Sequence, residues 1–504
     1  MKKKNWDTKD RIGLKLILLL LPFTLGIIGF KLERSEYSYL DAAYASMQMY
    51  FANIPIDWQY NIYINIGRWL APFCAIFFGI GLVADLVRGM LWPKFWSKLP
   101  SHYVVYGDAP WIHILCGEKM PPFSKYCIMD QNRFVNCSKY VLLFDSERKN
   151  LDFYTSFLLP KIKNKNVKVY MNLLELEPQD IQAENLVTFQ VNSFMAISFF
   201  KDPKWVNFER SLIERKKGRA VKIGIIGFGD LGKRMLQSAL VMNIVSKEQK
   251  IEYHVWGDVV PYRRKHRGLS DRNLEPDRVI FHEDDVNGSL QFMEDFDVIF
   301  LCGQQEENLL VLSDLLRLTA FVGRGGAIYA HVENEEILKM FQIAHISVKE
   351  HVKNPGKTFL AGERLFPLSV PDREHFLDKV ITNHLFLYGR AEKKHKAYVT
   401  DAREKEGQKP SPEYRYFEWN ELNSYLRWEN VSSANYDEVK LILKEKGVPE
   451  ELIAEFEHRR WLRCHYLDNW AYSAQRDDSA HLHPDLQDFH ALPKAEQEKD
   501  KNFV

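Results

Sequence analysis

Cysteine is scarce in this chain, with six among 504 residues. Cys74, Cys116, Cys127, Cys137, Cys302 and Cys464 include no C-x-x-C pair, which argues against a zinc ribbon or a disulfide scaffold. Cys116, Cys127 and Cys137 are unevenly spaced near His113, so free thiols and no metal site are the expectation. Charge of one sign is also lacking: 68 Lys and Arg stand against 67 Asp and Glu, a net +1. No global field therefore favours a nucleic acid polymer as partner. Long apolar runs are short of a full span. Leu16 to Phe30 and Trp69 to Ala84 each fall below the ~20 residues that a hydrocarbon core requires, and only flanking Ile12, Leu14, Ile64 and Leu86 extend them.

What is present begins with those two runs and the aromatic, charge-poor stretch Tyr37 to Trp69 between them. Such a connection suits a membrane-embedded re-entrant segment better than bulk water. Lys2, Lys3, Lys4, Lys9, Arg11 and Lys15 precede the first run; Arg88, Lys94 and Lys98 follow the second. The positive-inside rule then places both termini in the cytoplasm of a multi-pass plasma (inner) membrane protein, with no cleaved signal peptide. The stretch Asp41-Ala42-Ala43-Tyr44-Ala45-Ser46, with Asn65-Ile66-Gly67-Arg68 and the glycines Gly79 and Gly81, resembles the pore hairpin of two-helix potassium channels. Where that family carries TVGYG, this chain has Ala52-Asn53-Ile54-Pro55-Ile56, with Asp57 after it. The resemblance implies pore residues at Asn53, Ile54, Pro55, Ile56 and Asp57. Lacking the filter glycines, such a pore would discriminate poorly among permeant cations. The alternative is a simple two-helix anchor.

After residue 100, apolar runs at Tyr103–Tyr106, Tyr140–Phe144, Val167–Met171 and Leu186–Val191 alternate with polar connections, as in a parallel α/β unit. Its first turn, Gly107-Asp108-Ala109-Pro110, is a poor dinucleotide cradle. The next unit is clearer: the strand Val221–Ile226 runs straight into Gly227-Phe228-Gly229-Asp230-Leu231-Gly232 and a helix from Lys233. Gly227 permits the tight turn, Gly229 lets backbone approach a pyrophosphate, and Gly232 lets helix pack on strand. A second strand, Ile251–Trp256, ends near Asp258, placed to accept from an adenosine ribose hydroxyl. Cofactor-binding candidates are thus Gly227, Gly229, Asp230, Leu231, Gly232 and Asp258, with NAD(P) or another adenine nucleotide as cofactor. Further strands are expected at Val279–Phe281, Asp297–Cys302, Ala327–His331 and Ile346–Val348. The basic run Arg263–Arg267 reads as a solvated face. His254, His282 and His331 lie near strand ends as structural histidines, so no catalytic residue is assigned and no enzyme is expected. Two such lobes after a hairpin resemble the tandem regulator-of-potassium-conductance (RCK) arrangement, over roughly 102 to 360.

Beyond a charged stretch, 390–411, expected as a mobile linker, come Trp419-Asn420-Glu421-Leu422, Glu457-His458-Arg459-Arg460-Trp461, Asp468-Asn469-Trp470 and His483-Pro484-Asp485-Leu486. This pattern resembles the ryanodine-receptor-type (RyR) domain, a mostly helical module. Glu457 and Trp461 share a helix face. His458, Trp461, Trp470 and His483 are candidates for a cleft that stacks on a flat ligand; the alternative is that all four are structural.

The expected architecture is an α/β membrane protein: a hairpin over 1–98 (helices about 12–32 and 66–87), Rossmann-like lobes over 99–215 and 216–370, and a helical domain over 373–504. The expected function is a ligand-gated channel, a homotetramer opened by a small nucleotide ligand, with a role in defence or stress signalling. The rivals are a membrane-anchored NAD(P)-dependent oxidoreductase and a non-conducting nucleotide sensor.

Overall fold

The computed structural model describes residues 8–54, 59–76, 102–109, 112, 126–164, 166–174, 176, 181, 183–317, 326–332, 336–341, 365–369, 377, 385–405 and 417–502. The chain divides into two compact units, the first built of residues 1–106, 118–140 and 161–167, the second of 107–117, 141–160 and 168–504.

In the first unit, α1 (Thr8–Glu33), α2 (Tyr39–Met49) and α3 (Ile62–Cys74) pack on one another. Ser38 opens α2 with a reciprocal cap: its hydroxyl accepts from the Asp41 N–H at 3.1 Å, and the Asp41 carboxylate accepts from the Ser38 N–H at 3.0 Å. Asn61 caps α3 and donates to the Gly29 carbonyl at 2.7 Å, tying the start of α3 to α1. Phe30, Ala42, Met49, Ile64 and Ala71 form the core between the helices. A Cβ on Gly26 would lie 2.2 Å from the Met49 methyl, so the close approach of α1 and α2 needs a glycine there. The outer faces carry exposed Leu20, Ile28, Tyr44, Ile66, Trp69 and Phe73. Elsewhere in this unit, β1 (Tyr103–Gly107, whose residues through Tyr106 belong here) and β2 (Tyr126–Ile128) pair in parallel from Tyr103 opposite Tyr126.

Among the described residues, no helix is long and apolar enough to cross a membrane. The charge-free part of α1, Leu16 to Phe30, rises only ~22 Å at 1.5 Å per residue, against a core of ~30 Å; the second expected span, 66–87, lies outside the described residues from 77 onward. Ile12 and Leu14, counted from the flank, made the first run read longer than its charge-free part. The multi-pass plasma-membrane location is not sustained. Of the five expected pore residues, Asn53 is exposed after α2 and Ile54 packs partly buried against the helical core. Pro55, Ile56 and Asp57 lie outside the described residues, as do 77–101 and the strand expected at Ile346–Val348.

In the second unit, β3 (Lys139–Leu143, whose residues from Val141 belong here), β4 (Lys168–Asn172) and β5 (Leu186–Phe189) lie side by side in that order. A second, six-stranded sheet is built of β6 (Val221–Ile226), β7 (Ile251–Trp256), β8 (Arg278–His282), β9 (Val298–Leu301), β10 (Ala327–Ala330) and β11 (Leu365–Pro367). Every pairing is parallel and the order is β11-β10-β9-β6-β7-β8. That is strand order 3-2-1-4-5-6 read from the other edge, the dinucleotide-binding arrangement, which reverses direction between β6 and β9. The strands are near-continuous apolar runs because both sheet faces are covered. Against the sheets lie α4 (Val191–Phe200), α5 (Pro203–Lys216), α6 (Asp230–Met242), α7 (Val259–Lys265) and α8 (Gln305–Leu315).

The C-terminal part is helical: α9 (Leu385–Lys405), α10 (Ser424–Glu445), α11 (Glu450–Leu467) and α12 (Lys494–Asn502). Two-residue strands β12 (Ala471–Tyr472) and β13 (Leu482–His483) pair in parallel between α11 and α12. The charged stretch expected as a mobile linker is helix through Lys405. Its charges have partners: Arg390 bonds Glu438 at 2.7 Å and Lys394 bonds Asp437 at 3.1 Å, while Ala391 on the inner face is fully buried.

Candidate functional site

The glycine loop leaves β6 at its C-terminal end. Gly227 has φ +86°, and a Cβ there would lie 2.2 Å from the Gly303 nitrogen, so the loops after β6 and β9 meet at the point of strand reversal. A Cβ on Gly232 would fall 2.5 Å from the Gly227 carbonyl oxygen, which fixes how closely α6 sits on the turn. Gly229 differs: nothing lies within 4 Å of its missing side chain. The loop is thus closed on the sheet side and open on the other, and the N-terminus of α6 follows it. Phe228 and Leu231 are buried anchors of the loop, Phe228 set edge-on to Tyr262 at 5.0 Å. The Asp230 carboxylate accepts from Asn192 at 2.7 Å and pairs with Arg234 at 3.3 Å, so it ties α6 to α4. Asp258 stands exposed at the end of β7, at the cap position of α7. Gly227, Gly229, Gly232 and Asp258 are therefore all at the C-terminal edge of β6 and β7, while Asp230 and Leu231 have structural contacts.

Sequence reasoning missed Asn308. Its amide oxygen accepts from the Gly303 N–H at 3.0 Å, and its nitrogen donates to the carbonyls of Gly303 at 2.9 Å and His331 at 2.8 Å. One side chain thereby joins the loops after β9 and β10. Its partners lie 5 and 23 residues away, and no local motif marks it. His331 in turn meets the Leu368 carbonyl through Nδ1 at 3.2 Å, so Nδ1 carries the proton. His254 of β7 and His282 of β8 form a pair, Nδ1 to Nε2 at 2.9 Å, and His282 stacks on Trp256 at 4.1 Å. Burial and the neighbouring His282 pull the His254 imidazole down to about 4, against the opposing pull of Glu252.

The four candidates of the helical module line one cavity of about 490 Å³ between α9, α10, α11 and the segment after it. His458 stacks on Trp461 at 5.6 Å and meets the Gln487 carbonyl through Nε2 at 2.9 Å. The Trp461 ring meets His483 edge-on at 5.1 Å, and Trp470 lies within 5.2 Å of His465. The Trp470 indole donates to Asp468 at 3.2 Å. Glu457, beneath them, is buried in a network with Arg460 and Ser433. Among the described residues no group of side chains is arranged to hold a metal ion.

No family model matches the chain, and no curated protein matches it. The resemblances to a two-helix potassium-channel pore, to tandem RCK lobes and to an RyR-type domain are therefore not sustained, the first also for want of a spanning helix among the described residues. Among solved structures, a dipicolinate synthase subunit from Bacillus halodurans is similar at 11% identity and a TM-score of 0.22, covering 57% of this chain and 99% of that one. What stands is a Rossmann-like parallel α/β fold.

Proposed function

We propose that this chain binds an NAD(P)-type dinucleotide across the crevice at the β6–β9 reversal. The observation that carries the reading is the open space over Gly229, in a loop otherwise closed by its own glycines and followed at once by a helix. There the phosphates would meet backbone N–H groups and the α6 N-terminus, and exposed Asp258 would accept from the adenosine ribose. The test is thermal stabilisation of the whole chain by NAD(H) and NADP(H). Ligand at about 100 times its dissociation constant adds ~2.7 kcal/mol if the unfolded chain does not bind. Gly229→Val fills the open space and should abolish the shift while leaving the unliganded melting temperature in place. No stabilisation of the wild type by any of the four forms would defeat the proposal.

A second reading, an NAD(P)-dependent oxidoreductase, is favoured by His331. It follows β10 on the far side of the reversal from Asp258, and Asn308 links its backbone to the crevice loop at Gly303. Nicotinamide absorbance across a panel of carbonyl and hydroxyl compounds tests it. Turnover that His331→Ala suppresses without weakening nucleotide binding would support it; no turnover would leave a binding protein.

A further inference from the structure

The cavity of the helical module holds its charges unevenly. Each of its three long cationic side chains already has a carboxylate: Lys394 has Asp437 at 3.1 Å, Arg460 has Glu457 at 2.8 Å, and Arg476 has Asp478 at 2.8 Å. Glu429 lines the same cavity, and among the described residues its carboxylate has no hydrogen-bond or ion-pair partner. Burial pushes its carboxyl up, with the Arg460 charge opposing, as befits an acid that lacks a donor. The Tyr425 hydroxyl is fully buried and has no hydrogen-bond partner. The Tyr425 ring stacks with Trp470 at 5.8 Å and 28°, and Trp461 is a second flat wall. The cavity thus presents an acceptor pair, the Glu429 carboxylate, between aromatic walls. Glu429 is only partly buried and its oxygens are not sealed off, so the cavity leaves this carboxylate open to an incoming donor.

We propose that the cavity is a second ligand site, for a flat group whose edge presents two adjacent N–H donors. Such an edge meets the two oxygens of Glu429 in a bidentate pair, while its face stacks on Trp461 or Trp470. Two sources carry this chemistry: a guanidinium group and the Watson–Crick edge of guanine. Adenine offers one donor beside an acceptor and fits the carboxylate poorly. This site is separate from the glycine loop, and probes without phosphate keep the two readings apart.

Titrate the whole chain with guanosine, agmatine, adenosine and 1-methylguanosine, following tryptophan fluorescence and heat. Guanosine or agmatine should bind about tenfold or more tightly than adenosine, because a site built on donor recognition rejects the analogue that lacks the donors. Agmatine alone would identify the guanidinium source, and guanosine alone the base. In the base case 1-methylguanosine, with one of the paired donors blocked, should bind about tenfold more weakly than guanosine. Glu429→Gln replaces one acceptor by a donor and should weaken the bound probe by a similar factor, with the circular dichroism spectrum unchanged. Tyr425→Phe should weaken it less. If Glu429→Gln fails to fold, the wild-type preference for guanosine or agmatine over adenosine decides. Binding of neither probe, equal binding of adenosine, or binding unaffected by Glu429→Gln would overturn the proposal.

Discussion

Glu457 and His254 are both buried, and each makes stability depend on pH. Burial alone would push the Glu457 carboxyl up. Arg460, Lys440 and Lys394 outweigh it and hold the group at about 2, well below the ordinary 4.5. The folded chain then releases this proton more readily than the unfolded one, so the contribution is complete above about pH 4.5 and lost as pH falls toward 2. Its size is roughly 3 kcal/mol by linkage. His254, held at about 4 against an ordinary 6.5, stays neutral where the unfolded chain is charged. Its share is present above pH 6.5 and disappears between 6.5 and 4. Urea midpoints measured from pH 4 to 8 should show the gap between wild type and His254→Gln widening with pH up to about 6.5 and constant beyond. A gap independent of pH would show that His254 titrates normally.

At the level of the element, the loop between β6 and α6 is set by glycines of different purpose. Gly232→Ala places a methyl 2.5 Å from the Gly227 oxygen, lifting α6 from the turn. The expected loss is about 1–3 kcal/mol, with weaker nucleotide binding. Gly288→Ala, with nothing within 4 Å, should change stability by no more than about 0.5 kcal/mol. Denaturation of both variants beside nucleotide titration checks the contrast. This loop was legible in the sequence because strand, glycines and helix are contiguous, and each glycine answers a local geometric need. Strands β6 to β10 were legible for the same reason, as apolar runs bounded by turns. The cavity was legible only in part. His458 and Trp461 lie on one helix, but Glu429 and Tyr425 come from another, and only tertiary packing shows that their polar atoms end without partners. The N-terminal hairpin misled because an apolar run reads alike in a helix that packs on neighbours and in one that spans lipid. Gly26 and Gly29, which read as part of that run, serve close contacts with α2 and α3.

Across the second unit, the helical module is joined to the Rossmann-like lobe by buried polar contacts. Arg463 of α11 reaches Asp277, before β8, at 2.6 Å, and both side chains are almost fully buried. Asp277 also accepts from the Ile251 N–H and the Gln249 amide, each at 2.7 Å. Asn469 bonds the Gly268 N–H at 3.0 Å and the Lys265 carbonyl at 2.8 Å, so the turn that carries Trp470 rests on the chain just after α7. Asp277→Ala strands a buried guanidinium and should cost about 3–5 kcal/mol, read as a fall in the urea midpoint. Asp277→Asn, which keeps part of the bonding, should cost less. A change below about 1 kcal/mol in the alanine variant would mean that the joint is open to water. The free thiols bear on the same measurement. Cys74, Cys127 and Cys137 belong to the first unit, Cys302 and Cys464 to the second, and all five are buried. Burial pushes Cys127 up to about 11 and Cys464 up to about 12, so in the closed protein almost no thiolate is available to an alkylating reagent. Modification must wait for an opening, and mass spectrometry assigns each label to its residue. The native chain therefore carries a built-in clock for each unit, and Cys302, next to Gly303 of the crevice, is the hand that a bound nucleotide would slow.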